Sequence, residues 1–349
     1  MTRWGTGACE TASTATDLRS AGVPPGAPSA AAAAPAGFQH ESLLYSGGDE
    51  FLEGTLPPID EALELGRPVL VAVAQARISL LREALAEHAS LVGFVDMQAL
   101  GRNPARIIPA WQQFLEEHAP FGGPALGIAE PVWPGRSAAE LSECERHESL
   151  MNLAFGGGQS WRLLCTYDLD GLDGDVIEAA QHNHPFVGAG GASARNGLYR
   201  VGDWPAVAFA GELPEPPSFV REIDFSCEQL GIVRRAVAAQ AADALLAPER
   251  RQELVLAVSE LASNSVRHGG GTGRLRVWQE SGTLLCEVLD AGRIEAPLAG
   301  RIRPRPEQLS GRGLWLVNQL CDLVQIRSDH AGTLVRLHMD LTPVRLTRG

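Results

Sequence analysis

Residues 253–268 read ELVLAVSELASNSVRH, a stretch in which an acid, an amide and a histidine share one face of a predicted helix. Apolar residues recur here every three or four positions and form the opposite face of the helix. This spacing predicts a helix that packs against its own domain. These positions are Leu254, Ala257, Val258 and Leu261. Glu260 and Asn264 are four residues apart and therefore stack as neighbours, with His268 one turn further. Three glycines at residues 269–271 then end the helix.

Taken alone, this pattern is most often the solvated face of an amphipathic helix, but two glycine-containing motifs follow it. Residues 274–278 and 284–289 alternate around a Ser-Gly-Thr turn, which predicts a β-hairpin ending at Asp290. Gly292 then lets the backbone approach a flat ring closely. Gly311 and Gly313 precede another helical run, where bare backbone amides favour phosphate oxygens.

In this order and spacing, the three pieces resemble the Bergerat-fold ATPases of the gyrase, heat-shock chaperone, mismatch-repair and histidine-kinase types. Within that group they are most similar to the anti-sigma-factor serine/threonine kinases. The resemblance implies that residues 219–345 form an α/β sandwich, with a mixed sheet on one side, that binds ATP and Mg²⁺. It also implies a set of nucleotide contacts, namely Asn264, His268, Asp290, Gly292, Gly311, Gly313, Leu314 and Thr333.

The same resemblance implies a role for several of these residues. Asp290 accepts a hydrogen bond from the adenine amino group, and Thr333 helps to hold adenine. Asn264 offers an amide oxygen to Mg²⁺, and Glu260 is the catalytic residue that orients or deprotonates an attacking hydroxyl. The family pattern D-x-G-x-G is altered in this chain, because Ile294 stands where the second glycine is expected.

A short lid is predicted between the two glycine motifs, at residues 293–310. It carries four arginines, at positions 293, 301, 303 and 305. Such side chains are either solvated or contact phosphate or a protein partner, and the sequence leaves both alternatives open.

The first half of the chain alternates apolar strands with helical runs, which predicts a doubly wound sheet. The predicted strands are residues 67–73, 91–97, 125–130 and 161–167. Residues 38–187 resemble the MEDS sensory domain of methanogens and methylotrophs, and the resemblance is carried by the segments FQHESLLY, GRPVLVAV and ERHESLMN. That resemblance implies a RecA-like fold that has lost its phosphate loop and senses a small molecule. Residues 74–77, the loop after the first predicted strand, contain neither glycine nor lysine.

Histidines in this half suggest two kinds of site. His40 and His147 each begin the word His-Glu-Ser-Leu, but no helical hairpin surrounds them as a phospho-accepting histidine requires. Packing or a ligand pocket is therefore favoured for both. His182 and His184 could bind a metal, but with no third ligand nearby in sequence a pair of turn histidines is favoured.

Composition separates the segments of the chain and excludes several classes of site. Residues 1–37 are poor in large apolar side chains, which predicts a disordered tail, and residues 188–218 form a Gly- and Pro-rich linker. The absence of lysine excludes a Walker lysine and a pyridoxal Schiff base. Residues 1–215 carry a net charge of −15 and residues 216–349 one of +2, which argues against binding to nucleic acid.

The chain is expected to be cytoplasmic. Its six cysteines are scattered without metal-ligand spacing, which suits reduced thiols. No apolar run approaches the roughly 20 residues of a membrane helix, so no membrane interaction is expected.

The two family resemblances together imply an ATP-dependent serine/threonine kinase controlled by an N-terminal sensory domain with a small-molecule ligand. The anti-sigma resemblance implies a sigma factor and a STAS-type anti-sigma-factor antagonist as partners. Two alternatives remain open, a module that binds ATP but has lost phosphotransfer and a sensor histidine kinase. A homodimer is also left open.

Overall fold

The computed structural model describes residues 37–158, 160–189, 192–202, 204–218, 220–305 and 311–341. The predicted disordered tail lies outside these ranges, apart from its last residue. Within them, no helix combines the length and the apolar character that crossing a membrane requires.

The first half of the chain folds around a seven-stranded sheet with helices on both faces. Its strands are β1 (Phe38–Tyr45), β2 (Val69–Val73), β3 (Gly93–Asp96), β4 (Leu126–Ala129), β5 (Trp161–Asp168), β6 (Phe186–Ala189) and β7 (Ala192–Arg195). Its helices are α1 (Gly47–Glu64), α2 (Gln75–Leu85), α3 (Met97–Leu100), α4 (Ile107–His118), α5 (Ala138–Phe155), α6 (Gly174–Asn183) and α7 (Trp204–Phe209).

The strand order is β3-β2-β4-β5-β1-β6-β7, and every pair is parallel except β6 with β7. Apolar residues of α1 and α2 pack on one face, and those of α4 and α5 pack on the other. Strands covered on both faces must be apolar throughout, as β2 is, with all five of its residues buried. The predicted doubly wound α/β fold is confirmed.

The strand β1 was not among the predicted strands, and it lies in the interior of the sheet between β5 and β6. Its buried residues include His40, Glu41 and Ser42, so it lacks the continuous apolar pattern that marks its neighbours. The sequence analysis therefore took β2 as the first strand of the sheet. Ser46 is the single residue between β1 and α1. Its backbone amide donates to Glu50 Oε2 at 2.7 Å, so a carboxylate in the first turn of α1 accepts from the residue that precedes the helix.

The second half forms a two-layer α/β sandwich, as predicted. Its elements are β8 (Arg221–Ser226), α8 (Leu230–Asp243), α9 (Pro248–His268), β9 (Thr272–Glu280), β10 (Thr283–Asp290), α10 (Arg312–Leu320), β11 (Leu323–Asp329) and β12 (Gly332–Asp340). The sheet order is β11-β12-β10-β9-β8 with every pair antiparallel, so the expected mixed sheet is wrong. Tight turns join β9 to β10 and β11 to β12, and a two-residue turn can connect only antiparallel strands.

The central helix of this layer is α9, and its apolar face is buried as its spacing predicted. The buried positions are Leu254, Ala257, Val258, Leu261, Ala262 and Ser265. They pack on the sheet together with α8, while α10 lies beside α9.

The stretch predicted to be a linker, residues 188–218, carries structure of its own. Strand β7 extends the first sheet, and α7 packs on α5. Nη1 of Arg146 on α5 donates to the carbonyl oxygen of Val207 in α7 at 2.8 Å. We therefore propose a shorter linker that begins after α7.

The face of the second sheet opposite its helices is polar and buried. Glu287 on β10 has Arg336 on β12 and Arg276 on β9 as its register partners. Nε of Arg336 donates to Glu287 Oε1 at 2.7 Å, and Nη2 of Arg336 donates to the carbonyl oxygen of Pro214 at 2.6 Å. The connecting stretch thus covers this face beside a carboxylate that is fully buried.

We expect Glu287→Ala to lower the free energy of unfolding by about 3–5 kcal/mol, because it leaves the buried Arg336 guanidinium without its carboxylate. Urea unfolding of the full chain measures the change. The matched control is Glu222→Ala, which removes an exposed partner of Arg276 and should cost at most about 1 kcal/mol. Equal losses in the two variants would contradict a stabilising role for the buried pair.

Candidate functional site

A cavity of about 540 Å³ opens between α9, α10, the loop after β10 and strand β12. All eight residues predicted to contact nucleotide line it, namely Asn264, His268, Asp290, Gly292, Gly311, Gly313, Leu314 and Thr333. Its apolar lining consists of Leu261, Val288, Ile294, Leu298, Ile302, Leu314 and Val335, with alanines. An apolar cavity with a few polar groups at fixed positions is suited to a planar organic ring.

Asp290 stands at the end of β10 with both carboxylate oxygens engaged. Oδ2 accepts a hydrogen bond from Ser265 Oγ at 2.6 Å, and Oδ1 accepts one from the Gly292 amide at 2.8 Å. The helix end approaches closely, since a Cβ on Gly269 would lie 2.4 Å from Asp290 Cγ. The sequence analysis missed Ser265, because its partner is 25 residues away and only the fold shows the contact.

The loop after Asp290 is fixed by hydroxyl groups from the last two strands. Thr333 Oγ1 donates to the carbonyl oxygen of Gly292 at 2.9 Å and lies 2.8 Å from Ser328 Oγ. Ser328 Oγ accepts in turn from the amide of Ile294 at 2.9 Å. Ile294, which replaces the second family glycine, is therefore held in a defined loop and lines the cavity.

Glu260 and Asn264 meet the start of α10 at Gly313. A Cβ on Gly313 would lie 3.1 Å from Glu260 Oε2 and 3.1 Å from Asn264 Nδ2. Gly311, the residue before α10, has φ +82°, a conformation that favours glycine. The structure thus brings a carboxylate, an amide and the positive end of a helix to one edge of the cavity. The oxygen donors of Glu260 and Asn264 fit Mg²⁺, which prefers such ligands.

The described part of the lid is connected to the first half of the chain. Asn318 Nδ2 on α10 donates to the lid carbonyl of Gly300 at 3.0 Å. Asn103 Nδ2, from the loop after α3, donates to the Asn318 carbonyl oxygen at 3.0 Å. The lid guanidinium of Arg301 donates to Glu143 Oε2 on α5 at 3.1 Å.

Of the four lid arginines, Arg301 is buried and forms this ion pair, whereas Arg293, Arg303 and Arg305 are exposed. Arg301 is therefore neither solvated nor free to contact a phosphate or a protein partner. It contacts the first half of its own chain.

The two His-Glu-Ser-Leu histidines are both buried in the first half, with exposed fractions of 0% for His40 and 1% for His147. Burial lowers the pKa of His147 to about 3, so its ring is neutral. His184 is also fully buried, and the structure brings His40, Glu148 and Cys165 to it. The sequence analysis found no third ligand because these residues come from four separate elements.

Comparison with protein families matches both halves of the chain. Residues 39–185 match the MEthanogen/methylotroph, DcmR sensory domain, or MEDS domain, and residues 223–339 match the histidine kinase-like ATPase domain. The chain is a MEDS domain followed by a histidine kinase-like ATPase domain. The resemblance found from the sequence is confirmed for both halves.

Two of the solved structures that the chain matches come from bacteria. The RsbU and RsbW domains of Rv1364c from Mycobacterium tuberculosis match at 18% identity and a TM-score of 0.27, over 35% of this chain and 32% of that one. The Acinetobacter baumannii histidine kinase AdeS matches at 14% identity and a TM-score of 0.23, over 36% of this chain and 69% of that one. The chain thus spans about a third of the mycobacterial structure. No curated protein matches the chain.

We expect Gly292→Ala to weaken nucleotide binding by the ATPase domain, because its Cβ would lie 2.6 Å from the His268 carbonyl oxygen and 2.9 Å from Asp290 Oδ1. Titration calorimetry with ATP measures the affinity, and a loss of at least about tenfold, or about 1.4 kcal/mol, is expected. Gly231→Ala on α8 is the control, since the nearest atom to its Cβ is the flexible end of Arg235 at 3.5 Å. Unchanged affinity in Gly292→Ala would show that ATP binding does not depend on this loop.

Proposed function

We propose that this chain is an ATP-dependent protein kinase of the anti-sigma type, which phosphorylates a serine or threonine of a partner protein in the cytoplasm. The observation that carries the proposal is the meeting of Glu260 and Asn264 with the start of α10 at the edge of the apolar cavity. That arrangement provides separate positions for the catalytic base, the phosphates of ATP and the adenine ring.

Each side chain then has a defined task. Asp290 accepts a hydrogen bond from the adenine amino group, with Ser265 and the Gly292 amide holding its carboxylate in place. Backbone amides at the start of α10 donate to phosphate oxygens. Asn264 would hold Mg²⁺, which when bound offsets the phosphate charge. Glu260 accepts the proton of the attacking hydroxyl, whose oxygen bonds to the γ-phosphorus of ATP while the bond from that phosphorus to the β–γ bridging oxygen breaks and ADP leaves.

Burial of the first domain's histidines favours a serine or threonine acceptor over the sensor histidine kinase alternative. A phospho-accepting histidine must reach the nucleotide, and His40 and His147 lie inside the first domain. The acceptor is therefore expected on another protein, an anti-sigma-factor antagonist of the STAS type, with a sigma factor as the competing partner.

A module that binds ATP without transferring phosphate is the second candidate, and it is motivated by Ile294 in place of a family glycine. The hydrogen bond from the Ile294 amide to Ser328 supports an intact loop and therefore favours the kinase. Incubation of the full chain with labelled ATP and candidate antagonists tests the choice. Label on an antagonist serine or threonine supports the kinase, whereas ATP binding without label on any antagonist supports the module.

The sensory domain is expected to act on the kinase through the lid. Glu143 on α5 accepts from Arg301 of the lid at 3.1 Å and from Arg327 of β11 at 3.0 Å. All three side chains are buried, and the single carboxylate of Glu143 holds both guanidinium groups. A movement of α5 on binding a small molecule would therefore shift the lid.

Replacing Glu260 or Asn264 by alanine should impair different properties of the kinase, phosphate transfer in the first case and Mg-ATP binding in the second. Glu260→Ala leaves the phosphate and metal contacts in place, so nucleotide still binds while phosphate transfer falls by about 10²-fold or more. Asn264→Ala should weaken Mg-ATP binding itself, because the phosphate charge is then poorly compensated. Calorimetry with Mg-ATP and transfer of labelled phosphate measure the two effects.

The control for both variants is Glu249→Ala, an exposed acid in the first turn of the same helix. It should leave binding and transfer unchanged. If Glu260→Ala and Asn264→Ala also bound and transferred normally, α9 would be a packing element only and the kinase proposal would be wrong.

Removing the carboxylate of Glu143 should release the lid. We expect Glu143→Ala to speed dissociation of a fluorescent ATP analogue by about tenfold, the equivalent of one lost contact of about 1.4 kcal/mol. Stopped-flow displacement with excess ATP measures the rate. The exposed Glu145 on the same helix provides the control Glu145→Ala. An unchanged rate in folded Glu143→Ala would rule out a tether between α5 and the lid.

A further inference from the structure

Four metal-binding side chains converge in the interior of the MEDS domain, away from the ATPase cavity. They are His40 on β1, Glu148 on α5, Cys165 on β5 and His184 just after α6. Their ligand atoms all lie within 4.8 Å of one another, and no residue of the set is more than 3% exposed.

Hydrogen bonds to the outer ring nitrogens fix which nitrogen of each histidine carries its proton. His184 Nδ1 lies 2.7 Å from the Ala180 carbonyl oxygen, which can only accept, so Nδ1 is the donor. His40 Nδ1 lies 3.1 Å from Asn152 Oδ1, and that amide is oriented because its Nδ2 donates to the Asn183 carbonyl oxygen at 2.8 Å. In each neutral ring, the Nε2 lone pair therefore points into the cluster.

The inner nitrogens face a carboxylate oxygen of Glu148 and the thiol of Cys165. His184 Nε2 lies 2.9 Å from Glu148 Oε2, yet it is buried and has no hydrogen-bond partner among the described residues. His40 Nε2 lies 3.4 Å from the same oxygen and 3.4 Å from Cys165 Sγ. The Nε2 lone pair of His184 and the Glu148 oxygen repel each other at 2.9 Å unless a proton or a metal ion lies between them.

We propose that His40, Glu148, Cys165 and His184 form a transition-metal site in the sensory domain, with donors suited to Zn²⁺. Two imidazoles, a thiolate and a carboxylate are all zinc ligands, and the set is too soft for Mg²⁺ or Ca²⁺. Ligand atoms of a tetrahedral zinc ion stand about 3.3–3.7 Å apart, given the usual bond lengths. The distances of 2.9–3.4 Å quoted above are close to that geometry before any adjustment.

The surroundings of the cluster have the form of an outer shell. Ala180 and Asn152 orient the two imidazoles, and Tyr167 donates its hydroxyl to Glu148 Oε2 at 3.1 Å. Such partners orient metal ligands and fix their tautomers. With four protein donors, the site is closed and is suited to a structural or sensing role rather than to catalysis. On binding, Cys165 gives up its thiol proton to solvent and its sulfur bonds to the metal.

Cobalt(II) provides the direct test, because its spectrum reports coordination by sulfur and the number of ligands. The full chain is purified without chelators, its metal content is measured, and the metal-free form is titrated with Co²⁺. We expect one equivalent of metal per chain, a thiolate-to-cobalt charge-transfer band and the strong visible bands of four-coordinate cobalt. The Mg²⁺ site proposed in the ATPase domain cannot give the thiolate band, since it contains no sulfur.

Cys165→Ser should abolish the thiolate band and weaken Co²⁺ binding by at least about 100-fold, more than the loss of an outer-shell partner usually causes. Cys144→Ser is the matched control, a buried cysteine of the same domain whose Sγ contacts the Pro131 carbonyl oxygen. It should bind Co²⁺ as the unchanged chain does.

Two results would overturn the proposal. One is a wild-type chain that binds less than stoichiometric Co²⁺ or shows no thiolate band, which would leave the four side chains as a buried polar cluster without a metal. The other is an unchanged thiolate band in folded Cys165→Ser. The wild-type titration decides the question even if Cys165→Ser does not fold.

Discussion

The close approach of α9 to its neighbours is the constraint on which the candidate site depends. At Gly269, Gly292 and Gly313 a single added carbon would lie 2.4, 2.6 and 3.1 Å from the nearest facing atom. These contacts press the end of β10 and the start of α10 against the helix that carries Glu260 and Asn264. Because protein interiors are close-packed, such contacts leave few alternative arrangements of the surrounding loops. The acid, the amide and the helix start therefore share one edge of the cavity.

Helix α5 connects the two functional halves of the chain. Glu148 belongs to the buried cluster of the MEDS domain, and Glu143, five residues earlier, pairs with Arg301 of the lid and Arg327 of the second sheet. A helix transmits displacement along its axis because its backbone hydrogen bonds keep it rigid. The proposed metal cluster and the lid thus both contact α5, and this helix is the route that we propose from sensing to nucleotide binding.

Sequence reasoning was most successful where the signal was local. The spacing of Leu254, Leu261 and their neighbours indicated α9 and its buried face, and alternation indicated the hairpin that ends at Asp290. It was least successful at β1, where His40 and Glu41 interrupt the apolar pattern of an interior strand. A buried polar residue is acceptable when its partner is provided by another element, and that partner cannot be identified from the strand itself. The same limitation explains the missed Ser265.

By itself, the sequence determined the two-domain α/β organisation and, through the family resemblance, eight of the residues that line the ATPase cavity. Helix periodicity, glycine motifs and strand ends are properties of short segments, so they can be read without the fold. Only the tertiary structure decided the antiparallel order of the second sheet, the pairing of Arg301 with Glu143 and the assembly of His40, Glu148, Cys165 and His184. The members of that cluster are spread over more than 140 residues of the chain. Strand order and helix packing bring them together, and those depend on the whole core rather than on any local pattern.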